Sequence, residues 1–339
     1  MFKRIIMIVI LSVATLNTVI AEENFYQKKN ISFVVGFPPG SGYDIYARIV
    51  AKHIGKHIPG NPTTIVQNMP GAGSNTAGSY VTEIAEKDGT VIGAVSMGNL
   101  TESLFRQTNQ RYNPSLLNYI GSPNTDYNVC IVHKDSPVQD FKEIASKEII
   151  FGASSAGNES KDWTVMMKNM LGNNIKIVSG YDGSVAILLA MKNKEVHGMC
   201  GQSYSFMESR YQTEIKDGIF RYLLQQDDEN GQKELTRRGV PQLTSFAKNE
   251  EQKKVMEIIF SQKSFSRPLF VAKEVPKDRV EILKKAFVET MQDPELIEET
   301  KKMNLDIDFR TGSDVEKTVK EMFSLSKDTL SIIRKYFEE

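Results

Sequence analysis

The groups in this chain best placed to do chemistry are backbone N–H groups at two turns rich in proline and glycine. The first, Pro38-Pro39-Gly40-Ser41-Gly42-Tyr43-Asp44, follows an apolar run over 31–37. The second, Pro70-Gly71-Ala72-Gly73-Ser74, follows a strand-like run over 63–67. At each, a strand ends and a helix-like segment begins. The first turn of a helix has N–H groups without intrahelical partners, and the helix dipole adds partial positive charge there, so such junctions favour an anion. Ser41-Gly42-Tyr43-Asp44 has capping-box spacing with Asp in place of Glu, so its side chains are expected to satisfy part of that turn and leave the rest to a ligand carboxylate. Two later loops of small residues, Ser154-Ser155-Ala156-Gly157-Asn158 and Gly180-Tyr181-Asp182-Gly183-Ser184, have the same setting. Asn68, Asn99 and Asn158 stand at or beside expected strand ends, where an amide caps a turn or donates to a carboxylate in a cleft.

Other chemistries fit these residues less well. Gly71-Ala72-Gly73 with Gly78 imitates a dinucleotide fingerprint, but the last spacing is wrong and the loop follows the second strand instead of the first. His53 and His57 are spaced to share one helix face, but Ile54 stands where a zincin has Glu, so a solvated helix face is expected and no metal. Ser154 and Ser155 do not sit in the G-x-S-x-G elbow of a hydrolase, and the chain's 4 histidines offer few bases.

The elements that must position these turns alternate. The run 31–37 leads into a helix over 43–58, with Ala47, Val50, Ile54 and Ile58 at helical spacing. The run 63–67 leads into a helix over 74–85, and a strand over 91–96 follows Asp88-Gly89. This βαβαβ order implies a parallel sheet with helices packed on it. Strands over 127–133, 148–153, 176–179 and 196–200, with helices around Trp163, Met166, Met167 and Met170 and over 185–194, repeat the pattern. The polar stretch 225–236 is expected to be a surface loop. Helices over 277–291 and 314–337, with a start at Pro294 between them, read as closing helices of the first lobe.

Residues 1–21 read as a secretory leader, with Lys3 and Arg4 before an apolar stretch and Val19-Ile20-Ala21 before the cleavage point. The apolar stretch is too short for a bilayer span. The expected product is a soluble exported protein, long enough for two domains of ordinary size. The full sequence has 42 basic and 42 acidic residues, and loss of the leader puts the acids slightly ahead. No broad positive field exists to hold nucleic acid or an anionic membrane, so an anion must be held locally. The 2 cysteines, Cys130 and Cys200, permit one disulfide in an oxidising compartment or remain as buried thiols.

The chain resembles the periplasmic solute receptors of tripartite tricarboxylate transporters, the TctC or Bug-type proteins. The resemblance rests on Val34-Val35-Gly36-Phe37-Pro38-Pro39-Gly40-Ser41-Gly42-Tyr43-Asp44-Ile45-Tyr46-Ala47-Arg48 and Gln67-Asn68-Met69-Pro70-Gly71-Ala72-Gly73-Ser74. Asp88-Gly89-Thr90, Gly180-Tyr181-Asp182-Gly183-Ser184, Arg267-Pro268 and Val275-Pro276 follow in the family's order. It implies an α/β fold of two lobes, the Venus flytrap of type II periplasmic binding proteins, with a cleft between them. The expected division is 22–127 for the first lobe, 128–200 for the second and 201–339 for the return. The implied site comprises Phe37, Pro38, Ser41, Gly42, Tyr43, Asp44, Asn68, Gly71, Ala72 and Gly73, with Ser96 and Asn99 at the side. The opposite lobe contributes Ser154, Ser155, Ala156, Gly157, Asn158, Tyr181, Gly183 and Ser184.

Two positions depart from the family pattern. His197 precedes Gly198 where many members have Asp, which would favour an acidic ligand if the imidazole were charged. Met69 replaces a common Arg, which suggests a smaller or less charged ligand. If the strands carrying Cys130 and Cys200 are the two that cross between lobes, a disulfide between them would staple the hinge. The function implied is capture of a small organic di- or tricarboxylate in the periplasm by a monomer that delivers it to membrane permease subunits. No catalysis, cofactor or nucleic-acid partner is expected. A sensory receptor for a small acid and a periplasmic hydrolase are the alternatives.

Overall fold

The computed structural model describes residues 25–106, 110–172, 174–227 and 231–338, so the leader expected over 1–21 lies outside the described residues. One sheet is built from β1 (Asn30–Val35), β2 (Thr63–Asn68), β3 (Val91–Ala94), β4 (Asn118–Ser122), β10 (Leu269–Val271) and β11 (Arg310–Thr311). Its order is β11-β4-β10-β3-β1-β2. The second is built from β5 (Asn128–His133), β6 (Ile149–Ala153), β7 (Ile175–Ser179), β8 (Gly198–Ser203) and β9 (Phe220–Gln226), in the order β7-β6-β8-β5-β9. The longer helices are α1 (Gly42–Ile54), α2 (Met97–Phe105), α3 (Glu159–Leu171), α4 (Ser184–Lys192), α5 (Glu250–Phe260), α6 (Lys277–Met291), α7 (Pro294–Lys302), α8 (Gly312–Phe323) and α9 (Lys327–Lys335).

Register gathers the loops. β1 runs parallel to β2 and β3, with Val35 opposite both Asn68 and Ala94, so the C-terminal ends of all three strands come out at one edge. β6 and β7 are parallel with Ala153 opposite Ser179, which does the same in the second sheet. Ligands of open α/β sheets bind outside the carboxyl ends of the strands. The helices are held by apolar stripes. Trp163, Met166, Met167 and Met170 of α3 are all buried, and full burial of one such side chain stabilises by about 2 kcal/mol. α1 buries Val50 and Ile54 in one core with Phe33, Val35 and Phe287.

The chain passes between the sheets after β4 and again before β10, and the two passages are tied together. Asp126 N–H donates to Ser266 Oγ (2.8 Å), Arg267 N–H to Ser122 Oγ (3.1 Å), and Arg267 Nη2 to Asp126 Oδ2 (2.8 Å).

Several expectations need correction. β8 does not lead back to the first sheet; it lies between β6 and β5, and β9 follows on the far side of β5. The second sheet thus extends past the expected boundary at residue 200. An apolar run records that a strand forms but not which partner it takes, and β5 pairs antiparallel with both β8 and β9. Cys130 and Cys200 are joined by a disulfide, but it links neighbouring strands within the second sheet and does not staple the passages between sheets. The stretch 225–236 is not a surface loop throughout. Gln225 and Gln226 end β9 and are 1% and 2% exposed, and Lys233–Arg237 is a helical turn. The expected helix over 314–337 is two helices, α8 and α9, with the break at Ser324 to Ser326. His53 and His57 do not face solvent freely. Their Nε2 atoms lie 2.8 Å from Glu299 Oε2 and 2.9 Å from Asp293 Oδ2. Lys56 stands in the same group, its ammonium 2.5 Å from both Asp293 and Glu295.

Candidate functional site

Between the two sets of loops lie two adjoining cavities. The outer one, about 290 Å³, is walled by Gly36, Phe37 and Pro38 after β1 and by Pro70 to Ser74 after β2. Ser154, Ser155 and Asn158 after β6 and Gly180 to Gly183 after β7 complete it from the second sheet. The inner one, about 40 Å³, is walled by Phe37, Ser41, Gly42, Tyr43, Met97, Asn128, Asn158, Glu159, Gly183, Ser184, Gly201, Gln202, Ser203, Phe206 and Arg267. Phe37, Asn158 and Gly183 belong to both walls, so the cavities adjoin.

The first residues of four helices reach the inner cavity: Gly42 of α1, Met97 of α2, Glu159 of α3 and Ser184 of α4. Each helix start carries roughly half a positive charge on its free N–H groups. Three are partly capped by side chains. Ser41 Oγ accepts from Asp44 N–H, Ser96 Oγ from Gly98 N–H, and Asn158 Oδ1 from Ser160 N–H. The α4 start, at Gly183, has no side-chain cap.

The α2 start takes a carboxylate from the opposite loops. Glu159 Oε1 accepts from Ser96 Oγ (2.7 Å), Gly98 N–H (3.0 Å) and Tyr43 Oη (3.2 Å), while Oε2 accepts from Asn158 Nδ2 (3.0 Å). Ser96 Oγ is also 3.2 Å from the Gly157 carbonyl. The loops therefore clasp one another across the cleft. Gly73, at φ +60, lies so close that an added Cβ would be 2.3 Å from the Ala156 carbonyl oxygen. Only a residue without Cβ fits there.

Arg267 forms the floor. It is 5% exposed, and its guanidinium lies 4.8 Å from the Tyr43 ring centroid and 5.2 Å from that of Tyr46. Nη2 donates to Asp126 Oδ2 and Ser203 Oγ, both at 2.8 Å, and Nη1 to the Ser266 carbonyl at 3.2 Å. Asp126 in turn accepts from the hydroxyls of Ser203 and Ser205. Phe37 stacks on Tyr43 with ring centroids 4.3 Å apart. Burial, with the Glu159 charge second, pushes the Tyr43 phenol far above its ordinary value, so it stays a neutral donor.

Behind the clasp, α2 and α3 bring together Glu102, Asp162 and Arg106. Asp162 Oδ1 accepts from Arg106 Nη2 at 2.7 Å, and both its oxygens lie within 3.3 Å of Gly157 N–H. Burial nevertheless pushes the Asp162 carboxyl up to about 7, with Glu102 and Glu159 adding to the rise against Arg106.

Of the residues expected at the site, Phe37, Pro38, Ser41, Gly42, Tyr43, Gly71, Ala72, Gly73, Ser154, Ser155, Asn158, Tyr181, Gly183 and Ser184 line the cavities. Others stand behind the walls. Asp44 is 2% exposed and accepts from Gly40 N–H, Arg48 and Asn68, bonds that hold its carboxyl low against the upward push of burial. Asn68 also donates to the Phe37 carbonyl. These two residues shape the first turn from behind. Ser96 and Gly157 are spent on the clasp, and the Ala156 carbonyl abuts Gly73. Asn99 is fully buried and accepts from the Tyr112 hydroxyl. His197 is not in the cavity walls. Its Nδ1 accepts from Ile150 N–H, and burial lowers its pKa, so it is a neutral element of the second sheet and gives no positive charge to a ligand.

Sequence reasoning missed Arg267, Glu159, Asn128, Gln202 and Ser203 as wall residues. Signals existed for some. Arg267 stands directly before the proline that opens the apolar stretch 268–272, and Glu159 follows the Asn158 cap in the first helical turn, where acids are favoured.

Among functionally curated proteins, none matches the chain in sequence. Solved structures share its two-lobe α/β fold. The periplasmic binding protein BugD matches with a TM-score of 0.70 at 20% identity, over 92% of this chain and 98% of that one. MatC from Rhodopseudomonas palustris, solved with bound malate, matches with a TM-score of 0.70 at 16% identity, over 90% and 99%. An R. palustris protein solved with adipate matches with a TM-score of 0.69 at 17% identity, over 90% and 97%. Residues 46–335 match the profile of the tripartite tricarboxylate transporter family receptor, well over half of the chain, and the chain belongs to that family, TctC.

Proposed function

We propose that this chain is a periplasmic solute-binding receptor that captures a small organic carboxylate between its lobes and delivers it to the permease subunits of a tripartite tricarboxylate transporter. The observation that carries the reading is the meeting of four helix starts at one cavity between two sheets. Helix N-termini that converge from both sides reward an anion only when the lobes are together, so binding and closure are coupled. The malate and adipate held by two proteins of the same fold agree with this chemistry.

In this reading the outer cavity takes one carboxylate. Backbone N–H groups of the loops after β1 and β2 hold it from one side, and Ser154, Ser155 and the Gly180 to Gly183 loop from the other. Asp44 and Asn68 keep the first loop in shape. The lobes move about the paired passages at Asp126 and Arg267. The protein acts as a monomer, without catalysis and without nucleic acid. Ser154 Oγ is engaged with Asn158 Oδ1 (2.8 Å) and Ser160 Oγ (3.0 Å), and no histidine is in the cavity walls, which leaves a serine nucleophile without that base.

A thermal-shift screen of carboxylic acids, sugars and amines on the purified exported chain tests the reading. A ligand that binds only the folded state raises the midpoint. Acids are expected to raise it and sugars to leave it in place; a sugar shift with no acid shift overturns the proposal.

A further inference from the structure

The carboxylate that reaches the α2 start belongs to the chain itself. Glu159 is 4% exposed. It accepts the Gly98 N–H directly at 3.0 Å. It takes the Met97 N–H through Tyr43, whose hydroxyl accepts from Met97 at 3.3 Å and donates to Glu159 Oε1 at 3.2 Å. Ser96 Oγ donates to the same oxygen at 2.7 Å. N–H groups in the first turn of α2 are thus served by a side chain from the opposite lobe. Glu159 also stands in the first turn of α3, so one negative charge faces the positive ends of two helices. Without it those two ends would repel each other across the cleft.

The close approach is built into the backbone as well. A Cβ at Gly98 would lie 3.1 Å from the Gly157 carbonyl oxygen, and one at Gly157 would lie 2.6 Å from Glu102 Oε2. Just beyond α2, Arg106 Nη2 donates to Asp162 Oδ1 at 2.7 Å. Each of these contacts joins the chain's own groups, so none of them waits for a solute. A carboxylate carried on the chain acts at an effective concentration on the order of millimolar, which a dilute solute does not match.

We propose that Glu159 is an internal latch: its carboxylate binds the α2 helix start of the first lobe and holds the lobes together before a solute enters, and a solute is admitted when that bond lets go. The proposal rests on the reading that the lobes part to admit a solute. Of the four helix starts at the cavity, the α2 start is reserved for Glu159, and the uncapped α4 start is left to the solute. The rival explanation of closure is apolar packing, since Leu100 of α2 and Met166 of α3 belong to one buried core.

The test is the distance between spin labels on Gln67→Cys and Lys176→Cys, measured by pulsed electron paramagnetic resonance on the purified exported chain with no solute added. Both positions are exposed, and they lie on β2 and β7, the outermost strands of the two sheets next to the loops that face each other. The labelled parent is expected to give one short distance. Glu159→Ala removes the carboxylate and keeps the Asn158 cap, and Ser96→Ala removes a donor from the other lobe. In Glu159→Ala the ratio of parted to closed lobes should rise about tenfold or more, the range of hydrogen bonds to a charged group. Ser96→Ala should move it the same way by less. Glu159→Gln, which keeps the shape and loses the charge, takes the place of Glu159→Ala if that variant does not fold. A long distance in the labelled parent, or an unchanged short distance in both folded variants, overturns the latch; the second result assigns closure to the packing of α2 on α3. Because no solute is present, a failed acid screen removes the receptor reading alone, and unchanged distances remove the latch alone.

Discussion

The outer and inner cavities adjoin, yet they are built in opposite ways. The outer wall is mainly backbone and small residues, Gly36, Gly71, Ala72, Gly73, Ser154, Ser155, Gly180 and Gly183, in loops that leave parallel strands. The inner wall is mainly side chains, Tyr43, Asn128, Glu159, Gln202, Ser203 and Arg267, drawn from helix starts, strand ends and the passages between sheets. Backbone donors accept any carboxylate that reaches them. Side chains with fixed partners can distinguish one ligand from another. The comparison teaches that, in the proposed receptor, affinity for acids as a class and selectivity among them are assigned to different walls.

Changes to the frame of the inner wall should have the largest effect. The disulfide joins the strands that carry Asn128 on one side and Gln202 and Ser203 on the other, with a sequence separation of 70 residues. Replacing both cysteines by alanine is expected to lower unfolding stability by about 4 kcal/mol on the chain-entropy account, measured by urea denaturation. A loss under about 1 kcal/mol would mean the strand pairing alone holds that wall.

Asp126→Ala comes next. It leaves the Arg267 guanidinium buried without its carboxylate, and breaking such a pair costs about 3–5 kcal/mol. Denaturant midpoints in Asp126→Ala and in the double variant Asp126→Ala/Arg267→Leu measure this. The double variant should recover much of the loss; if it does not, Asp126 matters chiefly through its bonds to Ser203 and Ser205.

Gly73→Val strikes the outer wall. The left-handed backbone disfavours a β-branched residue by about 1–3 kcal/mol, and the clash falls on the Ala156 carbonyl across the cleft. Acid affinity should drop more than stability does, since the crowding is relieved when the lobes part. An equal change in both would place the cost in the loop itself rather than between lobes.

The smallest expected effect is a pH dependence behind the clasp. Asp162 has a folded pKa of about 7, against an ordinary carboxyl value near 4 when unfolded. Between those values the folded state binds more protons, so the Asp162 contribution weakens as pH rises from about 4 to about 7. Asp162→Asn should flatten that slope when thermal midpoints are compared at pH 5 and pH 8. Asp44 has the opposite sign. Its folded pKa is held low, so its contribution is present above the unfolded value and is lost as pH falls through the folded one. A wild-type slope that Asp162→Asn leaves unchanged would assign the dependence to another group.

The loop residues of both cavities were largely legible in the sequence. Ser41-Gly42-Tyr43, Gly71-Ala72-Gly73 and Tyr181 to Ser184 were singled out by their turn chemistry, and all of these except Asp182 were expected as ligand contacts from the family resemblance; all wall the cavities. Turn chemistry is local, because a positive φ or a helix cap depends on a residue and its near neighbours. Even there the reason was incomplete. Gly73 reads as room for a ligand, but the space it leaves is filled by the opposite loop.

The sequence by itself determined that strands alternate with helices, that glycine and proline turns stand where they exchange, and that the residues match one receptor family. Those properties follow from hydrophobic periodicity, backbone freedom and ordered motifs, all of which survive in a linear string. Tertiary structure alone decided that Cys200 lies within the second sheet, that His197 stands away from the cavity walls with its pKa lowered, and that Glu159 reaches the α2 start. It also decided that Arg267 meets Asp126 across 141 residues of chain. Strand partnership and side-chain convergence are set by the packing of distant segments, and a buried charge has a role only once its partners are in place.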